Sequence, residues 1–174
     1  HWLAPHLADR PYPDAPLYYW SAAVTGFAFS WLLPLHDAIR LASGFWVALI
    51  LFLLYRAGRE WHCNEEAPHE FAIASVLAMA GCLGFLVHAH DAQPMLVALA
   101  GHAAAYWALA LLPRKPQRAA IIFGLGLGLG FLGNGLAAML TLLPVALIAL
   151  WLAKDRTQSG SSLLLGALLG AAIA

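Results

Sequence analysis

From residue 119 to residue 153 the chain runs for thirty-five residues without a charged side chain. A helix rises about 1.5 Å per residue, so this run is far longer than the ~20 residues that cross a bilayer core once. Gly133-Asn134-Gly135 interrupts it with a turn signal. The run therefore predicts two helices, 119–133 and 136–153, back to back. Three other stretches, 38–56, 71–90 and 94–112, are apolar and long enough to span. The stretch 162–174 is apolar for thirteen residues, about 20 Å, and reads as a truncated span.

Composition agrees. Hydrophobic residues make up 62% of the chain and charged residues 10%, too few to give a soluble domain its polar shell. The expected fold class is all-α, a polytopic transmembrane helical bundle. Its N-terminal part, residues 1–37, is an extracytoplasmic loop plus an interfacial amphipathic helix, and residues 38–174 form the bundle. The formal net charge is zero, which gives no reason to expect a nucleic-acid partner. Cys63 falls in a polar loop and Cys82 in an apolar run, so no disulfide or metal spacing is expected.

Basic residues orient the bundle. Arg56 and Arg59, then Arg114, Lys115 and Arg118, then Lys154 and Arg156 follow alternate spans. Seven of the nine basic residues thus share one side, expected to be cytoplasmic. The turns at Asp91 and Asn134 fall opposite. Residues 17–33 hold Tyr18, Tyr19, Trp20, Phe27, Phe29 and Trp31, and such rings favour the headgroup level. Pro34 ends that segment, and His36-Asp37 offers an N-cap to the next helix. The loop 57–69 reads as a solvated cytoplasmic connector.

The opening stretch, Trp2, Pro5, Pro11-Tyr12 and Asp14-Ala15-Pro16-Leu17-Tyr18-Tyr19-Trp20, resembles the first extracytoplasmic loop of a membrane glycosyltransferase family. These are the aminoarabinose transferase and protein mannosyltransferase-like enzymes of the GT-C fold. The resemblance continues in order through Ile39-Arg40-Leu41, then His88-Ala89-His90-Asp91-Ala92-Gln93-Pro94, then the Gly-rich segment from Gly124 to Gly135. It implies transfer of a sugar from a polyprenyl-phosphate donor to a lipid, glycan or protein acceptor. It places the reaction at the outer face of a bacterial inner (plasma) membrane, with membrane lipids as surroundings. Two positions depart from the family pattern. Asp14 and Asn134 stand where the family often carries Lys, which would meet the carrier phosphate. The family's catalytic Asp would precede Trp2, so the chain reads as a fragment, inactive alone.

The residue types that can carry this chemistry are few. Asp91, at the outer end of a span, is the expected catalytic carboxylate, since an acid there is costly unless solvated, paired or used. His88 and His90 flank it as donors to phosphate or as metal ligands. No cofactor is required, although a divalent metal ion gripping the phosphate suits this set. Asp14 sits in a proline-stiffened loop. Tyr18, Tyr19 and Trp20 offer faces for a sugar ring, or anchors at the interface. Arg10 and Arg40 are the outer-side cations able to meet a phosphate. Asn134 can donate hydrogen bonds without charge. A non-catalytic membrane protein or transporter, binding a lipid or solute in the same outward cavity, is the alternative reading.

Two further features take structural readings. Gly128 to Gly133 matches GxGxxG, but no strand or βαβ unit surrounds it. Close helix packing through Gly126-xxx-Gly130 accounts for it instead. His102, inside a span, is expected to bond a neighbouring helix.

Overall fold

The computed structural model describes residues 6–7, 10–11, 15–82, 93–152 and 156–173. The described residues are all-α apart from one two-residue ladder, in which β1 (His6–Leu7) pairs antiparallel with β2 (Arg10–Pro11). Seven helices follow: α1 (Leu17–Phe29), α2 (Leu35–Trp61), α3 (Pro68–Ala80), α4 (Met95–Leu111), α5 (Pro116–Asn134), α6 (Leu136–Leu152) and α7 (Arg156–Ile173). Two of them, α2 and α5, are long and apolar enough to cross a membrane.

Local chemistry sets the boundaries. Pro68 and Pro116 open α3 and α5 at the position where a missing N–H costs nothing. Gly135, at φ +57°, closes α5 by donating its N–H to the Phe131 carbonyl at 2.7 Å. That left-handed backbone favours glycine and lets α6 begin at the next residue. The expected N-cap at His36-Asp37 is not formed. Pro34 is the N-cap of α2 and makes no side-chain cap bond. Its extended backbone, ψ 143°, starts the helix directly after it, so Asp37 falls in the first turn and faces the positive end of the helix dipole. The last helix also starts earlier than its apolar run. Polar residues Arg156 to Ser162 are helical, which brings α7 to 18 residues, or about 27 Å.

The helices pack with α4 between α2 and α5, and with α5 between α4 and α7. Helix α3 rests on α2, and α6 lies against α5, α4 and α7. Helix α1 runs antiparallel along the first half of α2. Tyr18 meets Ser43, Ser21 meets Trp46, and Gly26 approaches Ile39.

More than half of the buried apolar residues are alanines, with Tyr18, Trp46, Ile50 and Phe123 among the larger exceptions. Helix α4 buries Ala98, Ala100, Gly101, Ala103, Ala104, Ala105, Ala108 and Ala110. Large apolar side chains point outward: Leu140 is 75% exposed, Trp151 68% and Leu168 68%. That arrangement reverses the usual soluble pattern, in which Leu, Ile and Phe are the residues most often inside.

The glycines of α5 set the closest approaches. A methyl added at Gly126 would lie 2.8 Å from the Gly101 carbonyl oxygen and 2.9 Å from the Ala105 nitrogen, both on α4. One added at Gly124 would lie 2.7 Å from the Gly166 carbonyl oxygen on α7. These neighbours are backbone and cannot turn aside. Gly44, by contrast, has open space around it. Gly126→Ala and Gly124→Ala should each destabilise the bundle by about 1–3 kcal/mol through overpacking. Gly44→Ala should be neutral, or stabilising by up to about 1 kcal/mol. Thermal unfolding of the three variants in one detergent checks this, and equal loss at Gly44 would refute it.

Candidate functional site

One end of the bundle gathers the stretches that the sequence singles out. Tyr18, Ala22, Ala42 and Trp46 form a buried cluster with Leu96, Val97 and Ala100 at the start of α4. Gly133, next to Asn134, packs against Val97 and Ala98. The first helix, the start of α4 and the α5–α6 turn therefore share this end, labelled outer only after the orientation expected from the basic residues.

Polar ties fix α1 on α2. The Tyr18 and Ser43 hydroxyls are 2.7 Å apart and buried, and the Trp46 indole N–H donates to Ser21 Oγ at 3.0 Å. Burial pushes the Tyr18 hydroxyl above the ordinary tyrosine range, and the hydrogen bond to Ser43 pulls it partly back. Between α1 and α2 lies a hollow of about 510 Å³, lined by Tyr18, Tyr19, Ala22, Ala23, Gly26, Phe27, Leu35 and Ile39. Its lining is aliphatic and aromatic, and tyrosine hydroxyls are the polar side-chain groups in it. That of Tyr18 is engaged by Ser43.

The predicted site residues divide accordingly. Tyr18 is buried, and Tyr19 and Trp20 are half-buried. Arg40 is exposed on α2, and Asn134 is exposed at the last position of α5. Arg10 belongs to β2, and its side chain lies outside the described set. Asp14, His88, His90 and Asp91 lie outside the described residues. Among the described residues no three His, Cys, Asp or Glu side chains converge as a metal centre.

No protein-family model, curated protein or solved structure matches the chain.

Two polar contacts elsewhere join helices. His102 on α4 places Nδ1 at 2.8 Å from the Ala98 carbonyl and Nε2 at 2.7 Å from Thr141 Oγ1 on α6. A carbonyl only accepts, so Nδ1 carries a proton toward Ala98, while the Thr141 hydroxyl also donates to the Ala138 carbonyl at 2.9 Å. His102 thus ties α4 to α6, the bond to a neighbouring helix expected of it.

At the opposite end, Glu60 sits 3.3 Å from Arg114 and 4.0 Å from Lys115, and Arg114 also donates to the Glu60 carbonyl. This pairing extends α2 well into the stretch read from sequence as a solvated connector. The Tyr55 hydroxyl and His69 Nδ1, 2.8 Å apart, link α2 to α3 there. Sequence spacing gives no signal for a contact between residues 60 and 114, because the α2–α4 packing brings them together.

The Tyr18 tie carries a pH consequence. A raised folded value means that the fold favours the neutral phenol. The resulting stability is complete below the unfolded tyrosine value of about 10 and is lost as pH rises through the folded value. Tyr18→Phe should cost about 1 kcal/mol at neutral pH and flatten the loss of stability above pH ~10. Unfolding midpoints across pH for both proteins measure this, and identical pH curves would remove the buried phenol from the account.

Proposed function

We propose that the chain is a polytopic membrane protein and part of a GT-C-type glycosyltransferase acting at the outer face of a bacterial inner membrane. The membrane part rests on the small-inside, large-outside packing. Lipid tails solvate Leu and Phe as well as a protein core does, so bundles in lipid put small residues at helix contacts and large ones outside. Helices α4, α6 and α7, at 17 or 18 residues, are short but near the lower limit of spanning length. Phe27 and Trp31, 89% and 80% exposed near the tip of the α1–α2 hairpin, suit an interfacial position for that tip.

The observation that carries the transferase part is the convergence at the outer end. Four stretches resembling the family's landmarks occur in order along the chain. The described parts of three, the first helix with its Tyr18–Trp20 segment, the start of α4 and the α5–α6 turn, meet at this end. The apolar hollow beside Tyr19 suits a length of isoprenoid chain. In the proposed reaction an acceptor hydroxyl attacks the anomeric carbon of the lipid-linked sugar. The bond from that carbon to the phosphate oxygen breaks, and polyprenyl phosphate leaves with the electron pair. Asp91 holds the reacting hydroxyls, with His88 and His90 beside it in sequence, and a carboxylate upstream of Trp2 in the complete protein takes the acceptor's proton. Asp14, Arg10, Arg40 and Asn134 border the donor, and Tyr19 and Trp20 border the sugar.

One observation favours the second reading, a non-catalytic protein or transporter that binds a lipid or solute at the same end. Asn134, exposed at the end of α5, is uncharged where the family carries Lys.

Turnover of polyprenyl-phosphate sugars by the complete protein decides between the two. Asp91→Asn should lower kcat by roughly 10²–10⁴ with the protein still folded. Equal rates would remove Asp91 from the chemistry, and the absence of turnover in the wild type would favour the binding protein. Sidedness is tested separately through Cys63, free and exposed in the turn after α2. In a Cys82→Ser background, a membrane-impermeant maleimide should label Cys63 in inside-out vesicles and spare it in intact spheroplasts. The reverse pattern would invert the topology.

A further inference from the structure

At the end of the bundle opposite the hollow, α2, α4 and α5 enclose a cleft of about 190 Å³. Arg56 and Glu60 of α2, Trp107 and Leu111 of α4, Lys115 of the connecting turn, and Arg118, Ile121 and Ile122 of α5 line it. Three cations therefore meet one carboxylate, and Glu60 is already shared with Arg114. The Arg56 guanidinium lies over the Trp107 ring, 4.7 Å from its centroid, which turns it toward α4. Arg118 is exposed. The excess charge is positive, and it stands beside aliphatic side chains. Ile121 and Leu125, one turn apart on α5 and about half exposed, continue the apolar lining along the outside of the bundle.

A free anion would satisfy the cations and leave the apolar stripe unused. A neutral acyl chain would do the opposite. A phosphate diester that carries acyl chains satisfies both, and the volume suits a phosphate with its glycerol rather than a whole lipid. We propose that this cleft binds the phosphate headgroup of an anionic membrane lipid, held by Arg56, Lys115 and Arg118, with an acyl chain along Ile121 and Leu125. Basic pockets between helices on the cytoplasmic side suit anionic headgroups for this reason. The inference rests on the membrane reading and the orientation above, and is independent of the transferase reading.

The test uses the complete protein, delipidated and returned to phosphatidylcholine vesicles with or without phosphatidylglycerol. Retained lipid is counted by native mass spectrometry. Arg118→Gln should weaken phosphatidylglycerol retention about fivefold, equivalent to about 1 kcal/mol for one cation near the surface. Arg56→Gln/Arg118→Gln should weaken it further. Arg59→Gln removes the same charge outside the cleft and should leave retention unchanged. Arg118 is exposed, so its variant keeps the test usable if the double variant does not fold. Equal retention by Arg118→Gln and wild type, an equal loss in Arg59→Gln, or no preference for phosphatidylglycerol over phosphatidylcholine would each overturn the proposal. So would full competition by inorganic phosphate, which would assign the cleft to a free anion. Extraction of the protein from membranes by alkaline carbonate would instead count against the membrane reading itself.

Discussion

Everything in the bundle depends on how closely helix backbones approach α5. Residues two apart on a helix point about 200° apart, whereas residues four apart share a face. The alternation Gly124, Gly126, Gly128, Gly130 is therefore two interleaved small-residue pairs on opposite faces. Gly126 and Gly130 meet Gly101 on α4, and Gly124 meets Gly166 on α7. Each face admits a neighbour at backbone contact, so α5 becomes the middle of a three-helix layer. Dispersion rewards this closeness, since many atom pairs reach contact distance at once. The cost is that large side chains are kept away from the points of closest approach. Phe123 and Leu127 are buried beside them, but many other leucines and aromatics are left on the outside.

Such packing holds helices together but says little about their rotation or register. A few polar contacts do that. Tyr18 with Ser43 and Ser21 with Trp46 lock α1 to the outer half of α2. His102 with Thr141 joins α4 to α6, and Glu60 with Arg114 joins the inner ends of α2 and α4. Each is worth about a kcal/mol at most, and exposed ion pairs less. Their value lies in direction, because a hydrogen bond is met at one rotation of the helix and lost at others. The outer hollow exists because α1 is held along α2 in this way, with Gly26 close against Ile39.

The helices were legible in the sequence where apolar length was the whole signal. The uncharged run divides at Gly135 as its turn residues predict, and α2, α4, α5 and α6 fall within a few residues of the expected segments. Boundaries set by polar residues were not legible. Nothing apolar marks Arg156 to Ser162 as helical, and Pro34 displaced the cap expected at His36-Asp37. The second glycine pair was also hidden, because Gly124 reads as packing only once α7 is known to lie beside it. Of the candidate site, Tyr18, Tyr19, Trp20, Arg40 and Asn134 can be placed. Tyr18 shows the difficulty: a tyrosine at a boundary reads as an anchor or a stacking face, and no spacing rule reveals Ser43, twenty-five residues on, as its partner. Asp14, His88, His90 and Asp91 lie outside the described residues, so the carboxylates of the proposed chemistry rest on the sequence.

The two ends of the bundle differ in a way that bears on both proposals. The inner end concentrates cations beside aliphatic side chains, and the outer end offers an apolar hollow with a tyrosine at its edge. In the proposed transferase, a carrier phosphate at the outer end would meet the uncharged Asn134. Among the described side chains, Coulomb attraction at that end falls to Arg40 on α2. Since an uncompensated phosphate is costly wherever water is excluded, the proposed donor lipid would gain its hold there chiefly through its isoprenoid chain. Affinity would then follow chain length more than headgroup charge, and would depend weakly on salt. A lipid at the inner cleft should behave oppositely, with affinity set by headgroup charge and weakened as salt screens it. That contrast follows from the placement of a few charged side chains, and it separates the two sites by chemistry as well as by position.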